Sequence, residues 1–411
     1  MIDGIPDAVM ELAARCASVG GRAYLVGGGV RDHLMGRKFH DWDIEVFGVD
    51  IDRLGEILRK FGTVSAVGKS FGVYKLRPRG WAVELPEVDV SVPRRDSKVG
   101  PGHKGIAVEG DPNMSLRDAT RRRDLTINAI LYDIVGEEII DLWGGRDDLA
   151  AGVLRAVDRT TFLEDPLRAL RVIQFAARLD FRVDVELVQI CRAADLHELP
   201  AERIQAEWGK LLMSSRPSVG FRVAREAAIL SRVFPEVAAL DNDLALDRLA
   251  NWQRDTFDQA GRRWAVMLAT WLHGASTEAV TATMDRIWLH RWRNYPLRDR
   301  LLDVVRHFDH PADTDTALRN LSARAEVGVV LRARWAITED DRLLDFLERA
   351  TDLGIQIKKP EPLIFGRDLK NIGVQPGPMM GQILKAVYQR QLDGDVSDRD
   401  GALAAAKQLI S

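Results

Sequence analysis

The residues best placed by type and spacing to do chemistry lie near the N-terminus, in YLVGGGVRDHLMGRKFHDWDIEV (24–46). A strand-like run ends at Gly27-Gly28, a short amphipathic helix follows, and Asp41-Trp42-Asp43 opens the next strand. Two residues apart on a strand, Asp41 and Asp43 point to one face. Such a carboxylate pair suits a hard cation such as Mg²⁺. The glycines let backbone N–H groups approach a phosphate at the start of a helix, and Arg31-Asp32 stand on that helix. A lone GG or DxD reads as a turn or a solvated strand edge; the information is in their joint occurrence at short spacing.

Two further blocks follow. RRRDLTINAI (121–130) read alone is a basic helix end with solvated arginines, part of a local cluster formed by Arg117, Arg121, Arg122 and Arg123. LEDPLRALRVIQFAARLDF (163–181) is a well-signalled helix start, with Pro166 suited to the first turn and acids before it. Asp165, Arg168 and Arg171 recur every three residues and share a face. By themselves they would be capping and an ion pair worth a few tenths of a kcal/mol.

Together the blocks outline a metal-dependent nucleotidyltransferase. They resemble the class II tRNA nucleotidyltransferases (CCA-adding enzymes) and bacterial poly(A) polymerases, within the DNA polymerase beta-like superfamily. The resemblance is strong over about 20–235, moderate over 355–411 and weak between. It implies a catalytic site of Asp41, Asp43 and Asp89. Asp41 and Asp43 would hold Mg²⁺, and Asp89, in AVELPEVDVSV (82–92), would complete the site just before an arginine such as Arg94. It also implies that Gly28, Arg31 and Arg123 hold the triphosphate, and that Asp124 accepts a hydrogen bond from the ribose 2′-OH. Asp165 and Arg168, assisted by Arg171, would then read the base. An aspartate accepts from the exocyclic amine that A and C carry, and an arginine donates to the neighbouring ring nitrogen. G and U would leave those groups mismatched, at a cost. In ERIQAEWGKLL (202–212), Glu202, Arg203 and Lys210 would brace the base-reading helix. The segment PRRDSKVGPGHKG (93–105) resembles a glycine-rich loop that moves with the incoming nucleotide.

These residues need positioning elements, and composition bounds them. At 411 residues the chain expects two to four domains, and 46% hydrophobic with 29% charged residues is ordinary globular composition. The net charge of −3 makes any nucleic-acid surface local. Two distant cysteines, Cys16 and Cys191, argue against a disulfide framework or a zinc site. The N-terminus lacks a signal-peptide pattern and no run reaches the ~18 apolar residues of a membrane span. A cytoplasmic protein is expected.

The expected fold class is α+β: an N-terminal polymerase beta-like nucleotidyltransferase head, a mixed sheet with helices, then an all-α neck, body and tail. Boundaries fall at 1–145 (head), 146–215 (neck, carrying the base-reading helix), 216–350 (body) and 351–411 (tail). Strands are expected at 23–26, 41–47, 72–77, 82–91, 129–134 and 138–141, helices at 5–18, 29–35, 51–60 and 115–128, and a long loop at 93–113. Some relatives carry an HD phosphohydrolase domain after the neck; here His273 precedes Gly274 rather than Asp, and His310 lacks ordered partners. No phosphohydrolase activity is expected.

The expected activity is template-independent addition of CMP and AMP, from CTP and ATP, to the tRNA 3′ acceptor end, releasing pyrophosphate. The expected partners are tRNA, ATP and CTP, with neither membrane nor DNA. The alternatives are CC-only or A-only addition, a bacterial poly(A) polymerase, and a non-catalytic tRNA-binding protein.

Overall fold

A computed structural model describes residues 2–410 except Asp3, His40, 67–72, 83–85, 99–105 and 253–260. The chain forms two compact units: residues 1–211 with 219–233, and residues 212–218 with 234–411. The expected head and most of the neck share the first unit.

Its head begins with α1 (Asp7–Ala17), β1 (Arg22–Val26), α2 (Gly28–Leu34), β2 (Asp43–Phe47), α3 (Ile51–Phe61), β3 (Gly62–Ala66), β4 (Val73–Pro78) and β5 (Val88–Ser91). There follow β6 (Arg94–Lys98), β7 (Ile106–Gly110), α4 (Leu116–Arg121), β8 (Leu131–Asp133) and β9 (Glu138–Ile140). Seven strands make one mixed sheet in the order β3-β4-β5-β2-β1-β8-β9, in which only β2 and β5 pair in parallel.

Strand alternation sorts the side chains. Ala23, Leu25, Ile44 and Val46 pack on one face with Leu12 of α1 and Leu54 and Leu58 of α3. Tyr24, Val26 and Phe47 point the other way, against Ala119 of α4. On β2, Asp43 and Glu45 share the face of Phe47. Helices α3 and α4 start on side-chain caps: Asp50 accepts from the Arg53 amide and Ser115 from the Asp118 amide, each worth about 1 kcal/mol.

Three expectations are corrected. Residues 93–113 are not one long loop, because β6 and β7 pair antiparallel from Arg94↔Gly110 to Lys98↔Ile106. Polar composition hid strands whose backbones satisfy each other; the tip of the glycine-rich segment, 99–105, lies outside the described residues, as do Gly72 and 83–85 of two expected strands. The helix expected at 115–128 stops at Arg121, and a 3₁₀ turn covers Thr126–Asn128. Asp124 turns its carboxylate back to the Leu125 amide and to Asn128, which favours a turn over continued helix. Finally, β2 begins at Asp43, and Asp41 is exposed and two residues short of the strand.

The same unit continues with α5 (Gly145–Ala151), β10 (Val153–Leu154), α6 (Arg159–Leu163), α7 (Leu167–Leu179), β11 (Arg182–Val183), α8 (Val185–Ala193) and α9 (Ala201–Leu212). Then come α10 (Pro217–Glu226), at the junction of the units, and α11 (Ile229–Val233). Helix α7 is buried almost all round. Gly220 lets α10 meet it closely, since a Cβ there would stand 2.6 Å from the Ile173 carbonyl oxygen.

The second unit is helical: α12 (Asp243–Ala250), α13 (Arg262–Trp271), α14 (Thr277–Arg286), α15 (Leu297–Arg306), α16 (Asp315–Ser322), α17 (Val327–Thr338), α18 (Arg342–Asp352), α19 (Gly366–Asn371), α20 (Pro378–Asp393) and α21 (Arg399–Gln408). Aromatic pairs tie its first part together, Phe234 on Trp271 and Trp264 on Trp292, and His273 lies on the Phe308 ring. A separate apolar cluster around Leu369, Ile383, Val387 and Ala402 holds the last three helices. No helix among the described residues is long and apolar enough to cross a membrane. Cys16 and Cys191 are both free and buried, and burial pushes their thiols up to about 11 and about 12.

Candidate nucleotide site

Parallel pairing of β2 with β5 sets Asp43 and Asp89 directly opposite each other. Burial, followed by the Asp89 carboxylate, pushes the Asp43 carboxyl above its ordinary value; Arg123 pulls it back and Asp41 pushes again. A divalent cation relieves that kind of crowding, so Asp43 with Asp41 fits Mg²⁺ by donor chemistry. Asp89 already has a cation, the Lys75 ammonium at 2.9 Å. Among the described residues no three acidic, His or Cys side chains converge as a ready metal cage. Gly27, at φ 72°, closes the corner: a Cβ there would lie 3.4 Å from Arg123 Nη1 and 3.7 Å from Asp43 Oδ2. Those are ordinary contacts, so it is the left-handed φ that calls for glycine there.

Glu45 continues the acidic face of β2 and is 1% exposed. The Arg122 guanidinium donates to its Oε1 at 3.0 Å, and Arg123 stands 3.6 Å from its Oε2. The turn after α4 thus aims two neighbouring arginines at one buried carboxylate. The Arg122 carbonyl in turn accepts from Arg168 Nη2 at 2.5 Å, and the Thr161 carbonyl accepts from Arg168 Nη1 at 2.7 Å.

Arg31 points inward. It donates to Asn128 Oδ1 at 2.7 Å and to Asp32 at 2.8 Å. Asn128 passes the link on, donating to Asp124 at 3.0 Å, and Arg171 Nε reaches the other Asp124 oxygen at 2.7 Å. Burial would raise the Asp124 carboxyl, but the Arg171 charge and the hydrogen bonds from Asn128, Arg171 and Leu125 bring it below its ordinary value. Arg31 and Arg171 both lie over the Phe175 ring, each 5.2 Å from its centroid. On α7's leading edge, Asp165 accepts from the Leu167 amide and from Arg203 of α9 at 3.2 Å. Lys210 pairs with the buried Glu207 at 2.7 Å, while Glu202 makes neither contact.

A cavity of about 420 Å³ gathers much of this set. Asp43, Asp89, Arg123, Asp124, Asp165, Arg168 and Arg171 all line it. Gly28, Arg31 and Asp41 do not; Arg31 reaches the lining Asp124 from behind through Asn128. Glu45, Arg94, Arg122 and Arg203 line it as well. Of these, Glu45 had a sequence signal that went unused: Asp41, Asp43 and Glu45 repeat at period two. Arg203 is one of the expected braces, and it reaches Asp165.

Residues 23–155 match the poly A polymerase head domain, 182–240 the RNA- and SrmB-binding region of polymerase A, and 329–406 domain 2 of the tRNA nucleotidyltransferases. The multifunctional CCA protein of Aromatoleum aromaticum is 41% identical over 224 residues, which is 53% of this chain and 52% of that one. Each over its own part of the chain, these matches are to the tRNA nucleotidyltransferase and poly(A) polymerase family. The multifunctional CCA protein of Vibrio cholerae is 40% identical over the same proportions, so the chain spans about half the length of the curated relatives it matches. Likeness of fold extends further than this identity. The Bacillus stearothermophilus CCA-adding enzyme, solved in complex with CTP, superposes with a TM-score of 0.73 over 98% of each chain at 22% identity. The Thermotoga maritima enzyme, solved with tRNA, gives 0.69 over 100% of this chain and 97% of that one at 23% identity.

Proposed function

We propose that this protein adds CMP and AMP, from CTP and ATP, to the 3′ end of tRNA without a nucleic-acid template. The observation that carries the reading is that the acidic face of β2 and β5 and the Asp165–Arg168–Arg171 edge of α7 line one cavity. Phosphate chemistry and base recognition then meet in a single space of nucleotide size. In this reading 1–145 is catalytic, 146–215 reads the base, and 216–350 and 351–411 support the RNA.

The tRNA terminal hydroxyl attacks the α-phosphorus of the bound nucleotide, the new phosphodiester forms, and pyrophosphate leaves. Asp41 and Asp43 would hold Mg²⁺, and Asp89 adds a third charge to the same face. When bound, the ion supplies the positive charge that favours the attacking alkoxide and the leaving pyrophosphate. Arg123, aimed by Glu45, contacts the triphosphate with its planar fork; Gly28 and Arg31 hold the helix start behind it. Asp124 fixes Arg171 and offers its edge to the ribose. Asp165 and Arg168, pinned by Arg203 and by two backbone carbonyls, present a rigid edge to the base. Such preorganisation is what lets a protein edge discriminate among bases. A cytoplasmic tRNA-processing role belongs to the same proposal.

The test is single-nucleotide extension of tRNA transcripts ending before CCA, after C and after CC, each offered CTP, ATP, GTP or UTP with Mg²⁺. Ordered addition of C, C and A that then stops is the expected result. CC alone or A alone would make it half of a split pair, and long A tails a poly(A) polymerase. No incorporation on any acceptor would leave a non-catalytic tRNA-binding protein.

A further inference from the structure

The turn between α14 and α15 is unlike the rest of the second unit. Residues 286–298, RIWLHRWRNYPLR, hold four arginines and a histidine and no acid, in a chain of net charge −3. Arg286 is answered by Glu236, and Arg298 and His290 by Asp285. Arg291 reaches only the Asn294 carbonyl oxygen at 3.2 Å, and among the described residues neither Arg291 nor Arg293 meets an acid. Both are exposed.

Beside them Trp288 is 63% exposed. A single exposed apolar residue needs no explanation, but this one is held out by its backbone. Trp288 has φ 49° and Arg293 φ 53°, the left-handed region that a bulky side chain occupies only where its surroundings impose it. The surroundings do so. Leu289 and Tyr295 are buried, Trp292 lies 5.1 Å from the Trp264 ring, and Trp292 and Tyr295 exchange backbone hydrogen bonds of 3.0 Å. The inner side chains anchor a stiff turn whose outer side presents one indole and two guanidinium groups without a countercharge.

We infer that this turn binds RNA: Trp288 stacks on an unpaired base, and Arg291 and Arg293 hold the neighbouring phosphates. Every base offers a π-face to an indole, and the arginine fork matches phosphate. Trp and Arg also anchor protein interfaces. Alternation of aromatic and basic residues, free of any acid, favours the polyanion. The inference rests on the proposed reaction in that the RNA is taken to be the tRNA acceptor.

The test uses the full chain and an end-labelled tRNA transcript lacking CCA, with binding followed by fluorescence anisotropy over a range of salt concentrations. Trp288→Ala is expected to weaken binding about tenfold with the salt slope unchanged, and Trp288→Phe to restore most of it. Arg291→Gln with Arg293→Gln is expected to weaken binding and to lower the slope of log K against log salt by about two. Circular dichroism should match the wild type in each case. Unchanged affinity in both variants, while the wild type binds and extends tRNA, would overturn this surface and leave the proposed reaction standing. A change in sedimentation with no change in tRNA affinity would also overturn it, by assigning the turn to contacts between copies. A wild type that neither binds nor extends tRNA would instead defeat the proposed reaction itself.

Discussion

Two buried glutamates in this protein grip arginine pairs in the same way and to different ends. Glu45 in the head holds Arg122 and Arg123. Glu326 in the helical unit holds Arg262 at 2.9 Å and Arg300 at 3.7 Å, with the buried Tyr295 hydroxyl beside it. The chemistry of the two grips is alike, so a buried ion pair by itself does not mark a site. What differs is the far side of the arginines. Around Glu45 they line a cavity shared with Asp43 and the α7 edge. Around Glu326, Arg262 lies over the Tyr295 ring, 5.3 Å from its centroid, so that guanidinium is turned into packing. One grip sets charge along a cavity wall and the other staples helices.

The largest effect should come from Asp43 itself. Asp43→Ala is expected to lower kcat for CMP incorporation at least about a thousandfold, since the charge stabilisation at stake is several kcal/mol. Stability should hold or rise, because the substitution removes a carboxyl crowded by Asp89 and Asp41. A variant that unfolds in urea well before the wild type would place Asp43 with the staples.

Glu326→Ala should do the reverse. Truncating a buried acid leaves Arg262 uncompensated, at a cost on the order of 3 kcal/mol, read as an earlier urea midpoint. The rate per folded molecule should be unchanged. A matching loss of kcat at low denaturant would erase the distinction between the two grips.

Glu45→Gln probes the grip at the cavity more gently. The amide keeps the shape and one acceptor for Arg122 but loses the charge facing Arg123. The KM for CTP and ATP is expected to rise about tenfold, the difference between a charge-assisted and a neutral hydrogen bond, with a smaller change in kcat. Asp165→Asn acts on the other wall. An amide can donate as well as accept, so misincorporation of GMP or UMP relative to CMP should rise by about fivefold.

These contrasts also explain how much was legible beforehand. Asp43 and the Asp165–Arg168–Arg171 set are legible as shared-face patterns, period two on a strand and period three on a helix, and as a candidate site only through the family resemblance. The sheet order, with β5 beside β2 and Asp89 opposite Asp43, comes from pairing across more than forty residues, which no local period encodes. Glu45 was readable in principle, yet its task needed Arg122 and Arg123 to arrive from a turn that looked like continuing helix. The resemblance makes Arg203 a brace, and its pairing with Asp165 depends on how α9 packs along α7. The hairpin of β6 and β7 was hidden for another reason: its strands are satisfied by each other's backbones and carry no apolar alternation.

The smallest expected effect is the most discriminating, because it turns on sign. Asp124 and Glu326 are both buried acids beside arginine, yet their carboxyls move in opposite directions. For Asp124 the Arg171 charge and the surrounding hydrogen bonds outweigh burial, and the carboxyl lies below its ordinary value of 3.8. Its contribution is complete above that value and is lost as pH falls through the folded one. For Glu326 burial outweighs Arg262 and Arg300, and the carboxyl lies above its ordinary 4.5. Its contribution is present below 4.5 and is lost as pH rises through the folded value. The stability of the wild type relative to Asp124→Asn should therefore climb with pH across the acid range, while that relative to Glu326→Gln should decline above pH 4.5. Urea unfolding of both variants against the wild type from acid to neutral pH measures the two slopes. Slopes of one sign would mean that the arginines win in both places or in neither, and the surroundings of Asp124 and Glu326 could then no longer be ranked by how they handle charge.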